Sequence, residues 1–194
     1  MVLELVPPAV ERAQFIVHEL GALRFEAENL IFLADMQDRA GDTAAARATC
    51  QRAVESLRAS GSPTFIGPLT LAVAARIAPE RDQQLACLEE AEALLAKSGL
   101  AHNHFYLRRE GIDLGWMWRD AALLRSHASA LADFVGDDYT PWSVFVLQRA
   151  EALTQAIEGQ RDNAWRERVA ALRRQAAERR LVVFDRALAE AEAL

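Results

Sequence analysis

The sequence predicts an all-α protein, a right-handed stack of antiparallel helix pairs (an α-solenoid) with about ten helices. Composition is the first observation behind this prediction. Of the 194 residues, 52% are hydrophobic, 26% are charged and only 9 are Gly, a globular composition that favours helix. The second observation is that apolar residues recur three and four positions apart along most of the chain. The third is that Gly, Pro and Asp recur between these segments, where helices begin and end.

The first helix is predicted over residues 8–20. Its apolar residues are Phe15, Ile16 and Val17. A helix over residues 22–39 and a helix over residues 43–59 then form the first pair, joined by a tight turn of Gly followed by Asp42. A carboxylate at this position accepts hydrogen bonds from free amides of the first turn, so Asp42 is expected to cap the helix that follows it.

The same cycle then recurs three times. The four pairs are predicted over about residues 22–60, 64–98, 102–136 and 141–180, with flanking helices over residues 8–20 and 183–194. The first helices of the later pairs begin near residues 64, 102 and 141, which gives a period of roughly 38–40 residues. One pair cannot bury its apolar side alone, so the pairs must stack. Since no linker is long enough to divide the chain, we expect a single domain over residues 1–194.

The first pair carries small residues at the spacing typical of a tetratricopeptide repeat. The positions that form this pattern are Leu30, Leu33, Ala34, Ala46, Cys50 and Ala53. Small side chains let two antiparallel helices approach closely, and the turn between them requires Gly. The consensus aromatic residues of the repeat are missing from this pair.

Five short motifs follow one another in a fixed order. They are Phe65-Ile-Gly-Pro68, Glu89-Glu-Ala-Glu-Ala-Leu-Leu95, His102-Asn-His-Phe105, Pro141-Trp-Ser143 and Arg161-Asp162. Over about residues 22–185, this order resembles the C-terminal tetratricopeptide-like helical-repeat region of bacterial class III adenylate/guanylate cyclase proteins that also carry an AAA-type signalling ATPase domain. The resemblance implies a regulatory or interaction module, because the chemistry of those proteins lies in domains upstream of the repeats.

The third pair departs from the pattern of that family. Arg119 stands where a turn Gly is expected, Gly111 replaces a helix-favouring Ala, and Trp116-Met-Trp118 is an unusual cluster. The turn and the inner face of this pair are therefore the places where differences from the family are expected.

Charge and hydropathy limit the partners. The net charge of −6 offers no field that would steer nucleic acid towards the protein. The longest apolar run, residues 63–75, is too short and too interrupted by Gly and Pro for a membrane span of about 20 residues. Residues 1–8 lack the basic start and apolar run of a signal peptide, and the two Cys have no metal-ligand spacing. We therefore expect a cytoplasmic protein without a nucleic-acid, membrane or cofactor partner.

The helix over residues 102–118 carries the candidate binding surface. Its expected core-facing residues are Leu107, Gly111, Leu114 and Trp118. A neighbouring stripe mixes polar and aromatic side chains: Tyr106, Arg109, Asp113 and Trp116. The first helix of each pair usually lines the concave surface of such a stack, and aromatic and Arg side chains carry much of the energy of interfaces. We expect this stripe to bind a protein or peptide; the alternative is that Tyr106 and Trp116 pack against the second pair.

A second candidate surface is a basic stripe on the ninth helix. Arg166, Arg173 and Arg180 are seven residues apart and would line one side of a helix over residues 163–180. One interpretation is that they face an anionic partner such as an acidic peptide. The other is a solvated face in which acidic neighbours pair with the arginines.

Other reactive side chains predict structural roles. His102 and Asn103 are expected to cap their helix, since two His that are two positions apart cannot share a metal on a helix. Cys50 and Cys87 fall on apolar helix faces, where burial raises the pKa of a thiol. The Gly-x-Ser-x-Gly elbow of a nucleophilic serine is found at none of Ser62, Ser98 and Ser143.

Two functions remain open from the sequence. The first is a non-catalytic interaction or regulatory repeat module of a bacterial signalling protein, which binds another protein, a peptide or upstream domains of its own polypeptide, and a homo-oligomer is compatible with it. The second is a small-molecule sensor with an aromatic-lined pocket formed by Tyr106, Trp116, Trp118 and Trp142. The sequence predicts no enzyme activity.

Overall fold

The structure is a computed structural model and describes residues 6–97 and 100–194. Over these residues it consists of helices without a strand, which confirms the all-α prediction. The α-helices are α1 (Val6–Glu19), α2 (Leu23–Arg39), α3 (Thr43–Ala59), α4 (Pro63–Ile77), α5 (Arg81–Leu95), α6 (Ala101–Trp118), α7 (Ala121–Val135), α8 (Pro141–Ile157), α9 (Asn163–Glu178) and α10 (Asp185–Ala193). A short 3-10 helix, Val182–Phe184, precedes α10. Ser98, one of the serines that lack the nucleophile elbow, lies outside the described residues.

The helices pack in neighbouring pairs within two compact units. The first unit is Met1–Leu107 and the second is Arg108–Leu194, so the boundary falls within α6. In the first unit α2 packs on α3 and α4 packs on α5, and in the second unit α7 packs on α8 and α8 on α9. The pairing of consecutive helices confirms the predicted repeat of hairpins, while the single domain over residues 1–194 stays a prediction.

The α2–α3 pair packs through the small residues of the predicted repeat pattern. Five of the six predicted positions lie in one buried cluster: Leu30, Ala34, Ala46, Cys50 and Ala53. Ile31 takes the place predicted for Leu33, which is only half-buried. The cluster also includes Leu69 and Val73 of α4, so the first hairpin buries its apolar side against the next helix, as a repeat requires.

Helix α4 is buried on all sides. Every residue from Ile66 to Ala75 is buried, because α4 packs against α2, α3 and α5. The sequence explains this, since the segment is apolar around its whole circumference. The expectation that the first helix of a pair lines an open concave surface is therefore wrong for this pair.

Capping residues fix where the helices begin. Asp42 accepts a hydrogen bond from the amide of Ala45 (3.1 Å), as predicted, and Asp120 and Asp162 cap α7 and α9 in the same way. At α8 the Thr140 side chain accepts from the Ser143 amide in a reciprocal capping box. The cap at Asp42 was predicted; the other caps likewise lie immediately before the first helical residue, where local chemistry determines the helix start.

The turn between α6 and α7 keeps its shape without the Gly that the family pattern expects. Arg119 has φ +56°, a left-handed conformation that favours Gly and that Gly41 adopts in the α2–α3 turn. The guanidinium of Arg119 stacks on the ring of Trp116, 3.7 Å from its centroid, and Arg119 Nη1 donates to the Trp116 carbonyl at 2.9 Å. These contacts hold the side chain in a turn whose backbone alone would favour Gly.

Two glycines of α6 mark its close approach to α7. A Cβ at Gly111 would lie 2.3 Å from the ring of the buried His127, so the missing side chain provides the space that the imidazole fills. A Cβ at Gly115 would lie 2.7 Å from the backbone nitrogen of Leu124. Since a backbone cannot move aside as a side-chain end can, Gly115 sets the distance between the two helices.

No helix within residues 6–97 and 100–194 has both the length and the apolar character needed to cross a bilayer.

We expect Gly115→Ala to destabilise the protein by about 1–3 kcal/mol, the usual cost of overpacking a close contact. Met117→Ala is the matched control, since it introduces the same residue into the same helix at a side chain that is 47% exposed. Its effect should stay within about 0.5 kcal/mol. Urea unfolding measures both variants; equal effects would contradict the close approach at Gly115.

Candidate functional site

Tyr106 of α6 belongs to the core of the first unit. The ring lies 5.8 Å from the ring of Phe32, centroid to centroid, and packs with it against the buried α2–α3 cluster. A tilted aromatic pair of this kind adds to the stability of a core. The alternative interpretation placed Tyr106 against the second pair; the ring is half-buried, and its aromatic partner Phe32 belongs to the first pair.

Arg109 is buried and makes an ion pair with its neighbour in sequence. Its relative exposure is 8%, and that of Glu110 is 0%. Arg109 Nε donates to Glu110 Oε1 at 2.9 Å, and Nη2 contacts the same oxygen. Two charges removed from water remain stable only when they are paired and hydrogen-bonded, as these are.

Asp113 pairs with a residue that lies far away in the sequence. Arg149 of α8 is 2% exposed, and its Nη2 lies 2.6 Å from Asp113 Oδ1. Arg149 Nε also donates to the Phe184 carbonyl at 3.3 Å, and its guanidinium lies 5.3 Å from the Phe184 ring centroid. The pair therefore ties α6, α8 and the segment before α10 together in the second unit.

Trp116 is buried, with a relative exposure of 4%. Its indole nitrogen donates to Glu190 Oε2 of α10 at 3.0 Å. Burial of Glu190 favours the neutral carboxyl, but the hydrogen bonds from Trp116 and Arg186 outweigh this effect and lower the pKa of Glu190. Trp116 thus connects α6 to α10 through a charge-assisted hydrogen bond.

The predicted binding stripe is therefore not an open surface. Arg109 and Trp116 are buried, which corrects the expectation that both face outward, and Asp113 is held by Arg149. Polar side chains on a covered side of a helix must find partners within the protein, and in the sequence such a side has the same pattern as one that faces solvent. A binding role for these four residues stays a prediction.

The aromatic residues proposed to line a ligand pocket pack against different partners. Tyr106 packs on Phe32 in the first unit, Trp116 bonds to Glu190, and the Trp142 ring lies 6.5 Å from the ring of Phe184. Each of these three side chains therefore has a structural contact of its own. A ligand pocket shared by these side chains stays a prediction.

His102 and Asn103 contact α4 instead of capping α6. Since α6 begins at Ala101, Asn103 lies inside its first turn, and the expected cap is wrong. Asn103 is fully buried, and its Nδ2 donates to the Phe65 carbonyl at 2.9 Å and approaches the Thr64 carbonyl at 3.4 Å. His102 Nε2 lies 3.3 Å from the same Phe65 oxygen.

Pro68 explains why a side chain of α6 donates hydrogen bonds to the backbone of α4 at this point. In a continuous helix the amide of residue 68 would donate to the carbonyl of residue 64, but proline has no N–H and its ring pushes that carbonyl away. The Asn103 amide supplies a donor at this point of α4. Two of the five motifs that carry the family resemblance thus meet each other, and their residues build the scaffold.

The basic residues of α9 do not form one stripe. The helix ends at Glu178, so Arg180 lies beyond it, at φ +57°. Arg173 binds two carboxylates of α10, with Nε 2.7 Å from Asp185 Oδ1 and Nη1 2.5 Å from Glu192 Oε2, and it lowers the pKa of Asp185. Arg166 is exposed and donates to Asn163 Oδ1 at 2.9 Å. Acidic neighbours therefore hold Arg173, and an anionic partner for Arg166 and Arg180 stays a prediction.

The cysteines have the structural environment that the sequence predicts. Cys50 is buried, and burial raises the pKa of its thiol to about 12, with the nearby Cys87 adding to the rise. Cys87 is half-buried, and burial raises its pKa as well. In the described part of the chain, no three His, Cys, Asp or Glu side chains are arranged to hold a metal ion.

Sequence reasoning missed the partners of the predicted stripe. Glu110, Arg149 and Glu190 each bond to a residue of the predicted stripe, and only Glu110 is close to it in sequence. A signal existed for Arg149: it shares a helix face of α8 with Phe145, Val146 and Leu153, where an isolated charge is expected to need a buried partner.

Comparison of the chain with protein-family models, with curated proteins and with solved structures found no match.

We expect Asn103→Leu, which keeps the number and branching of side-chain heavy atoms and removes the donor, to cost about 1–3 kcal/mol of unfolding free energy, because the carbonyls of Thr64 and Phe65 lose this donor. In a Pro68→Ala background the cost should be smaller, since the amide of residue 68 can then bond to the Thr64 carbonyl. Urea unfolding of the four proteins of this double-mutant cycle measures the difference. Equal costs in both backgrounds would show that Asn103 does not compensate for the proline.

We expect Trp116→Ala to lower the free energy of unfolding by about 3–5 kcal/mol, as for other buried aromatic side chains. Met117→Ala is the matched control, since Met117 is the next residue of the same helix and is 47% exposed. Its effect should stay within about 0.5 kcal/mol. Thermal and urea unfolding followed by circular dichroism measure both variants. An unchanged stability of Trp116→Ala would instead favour the binding-surface interpretation of this side chain.

Proposed function

We propose that the chain is a non-catalytic helical-repeat module that recognises another protein or a peptide and so regulates a bacterial signalling system. The proposal includes a cytoplasmic setting. The partner can be a separate protein or upstream domains of the same polypeptide, as the resemblance to cyclase-associated repeat regions implies.

The observation that carries the proposal is that the second helix of each pair buries one face and exposes the other. In α3 the buried residues recur three and four positions apart, and most of the other residues are exposed. The second helices α5, α7 and α9 show the same one-sided burial. Each hairpin therefore offers a helix face to solvent on a scaffold that needs no ligand to be complete. Repeat proteins use such faces for recognition.

The buried charges support a non-catalytic role. Arg109 is paired with Glu110 and Arg149 with Asp113, and both pairs are buried or nearly so. Catalytic acids, bases and nucleophiles are instead found in clefts that a substrate can enter, with pKa values shifted towards neutrality. The Cys50 thiol has the opposite shift, because burial keeps it protonated at physiological pH.

Site-specific photo-crosslinking in the producing cell tests the proposal. A photoreactive phenylalanine is placed singly at one exposed position on each second helix: Arg47, Glu89, Ser129 and Arg174. We expect at least one of these positions to yield a discrete crosslink to one protein, because recognition buries part of an exposed helix face. The same residue at the fully buried Phe145 is the control and should give no intermolecular product.

Two results would overturn the proposal. One is the absence of any crosslink above that of the Phe145 control at all four positions. The other is turnover of ATP or GTP by the purified chain. A metabolite that raises the melting temperature in proportion to ln(1 + [L]/Kd) would favour the small-molecule sensor instead.

A further inference from the structure

Helix α1 has an uncovered face that combines large apolar side chains with charges. Arg12, Phe15, Ile16, Glu19 and Leu20 recur at spacings of three, one, three and one, which places them on one side of a helix. Leu20 follows the last helical residue, but its amide still bonds to the Ile16 carbonyl at 3.1 Å, so it continues the same turn. All five residues are exposed.

The other side of α1 is the one that packs on the first unit. Ala13, Gln14 and Val17 are half-buried, and Gln14 Nε2 donates to Glu26 Oε1 of α2 at 3.1 Å. The face that holds α1 against α2 is thus distinct from the outer face, and a change on the outer face leaves the packing of α1 unaltered.

The exposure of the outer face is large. Phe15 is 65% exposed, Ile16 47% and Leu20 75%. A single exposed Leu is ordinary in a folded protein, whereas three neighbouring large apolar side chains on one helix face are a mark of an interaction site. Association would remove this apolar area from water, which is the main driving force for such contacts.

The charges on this face are arranged so that two copies of the face can attract each other. Arg12 lies three residues before Phe15, and Glu19 lies three residues after Ile16, so opposite charges stand at equal distances from the apolar centre. When two copies of α1 pack antiparallel about a two-fold axis, Arg12 of each copy faces Glu19 of the other. A parallel arrangement would place like charges opposite each other, which costs free energy.

We propose that the outer face of α1 binds a second copy of this chain, in an antiparallel, two-fold symmetric contact. Phe15 and Ile16 form its apolar centre, two Arg12–Glu19 pairs flank this centre, and Leu20 extends the apolar surface beyond each pair. A two-fold contact of this kind uses the same patch on both molecules and ends with the dimer. The contact goes beyond the proposed function, because it concerns the same chain and not a signalling partner.

Sedimentation equilibrium of the full chain tests the contact. We expect a concentration-dependent dimer at up to about 100 µM and a monomer for Ile16→Asp over the same range. The charge reversals Arg12→Glu and Glu19→Arg should each weaken the dimer about tenfold or more, since each places two pairs of like charges across the contact. An equimolar mixture of the two single variants should dimerise again, because each mixed dimer contains opposite charges at both ends.

Arg47→Glu on α3 is the control, since it makes the same charge change at an exposed position outside the face. It should leave the dimer intact. At a concentration low enough for the wild type to be monomeric, circular dichroism should show the same melting for all variants, because the changed side chains are exposed. A wild-type chain that stays monomeric, a dimer that Ile16→Asp does not disrupt, or single variants that fail to associate with each other would overturn the proposal. Crosslinking to a signalling partner is independent of these outcomes, so the two proposals can fail separately.

Discussion

Neighbouring helices in this protein approach each other at Gly and Ala, and the rest of the structure depends on this close approach. In the first unit, Ala34, Ala46 and Ala53 are fully buried between α2 and α3. In the second unit, Gly115 leaves no space for even a Cβ against the backbone of Leu124. Small residues at the contact bring two backbones together, so larger side chains such as Leu30 can fill the space beside the contact. A hairpin packed in this way still has one apolar side, which explains why the next helix is needed.

The close packing also determines where polar side chains are tolerated. In α6, Arg109 pairs with Glu110, and Asp113 pairs with Arg149 of α8. The side-chain amide of Asn103 donates to the Phe65 carbonyl of α4, close to Pro68. Each of these groups is buried with a partner, because an unpaired buried charge or donor would cost several kcal/mol. Asp113 and Asn103 thus connect α6 to other helices, whereas the Arg109–Glu110 pair lies within α6 itself.

Most of the fold could be predicted from the sequence, and the candidate site could not, for one physical reason. Helix ends depend on local chemistry such as the Asp42 cap and Gly in turns, so they can be recognised within a few residues. The environment of α6 depends on Glu190, which bonds to Trp116 across 74 positions, and on Arg149 of α8. Periodicity shows that Arg109 and Trp116 lie on the same face of the helix. It does not show whether that face contacts water or is buried against charged partners of the same protein, because both cases have the same sequence pattern. The apolar run of α4 was the available signal that a first helix of this fold is buried.

The burial of side chains in helices α1 and α6 is the reverse of what their compositions indicate. α6 carries Trp, Tyr and Arg, the residue types that dominate protein interfaces, yet these side chains contact their own chain. α1 carries Phe15 and Ile16, types expected in a core, and both are exposed. Since association gains free energy only from apolar area that is still in contact with water, side chains such as Trp116 have little left to contribute to binding. Recognition by this chain therefore depends on the surfaces that folding leaves uncovered, and residue type alone does not identify them.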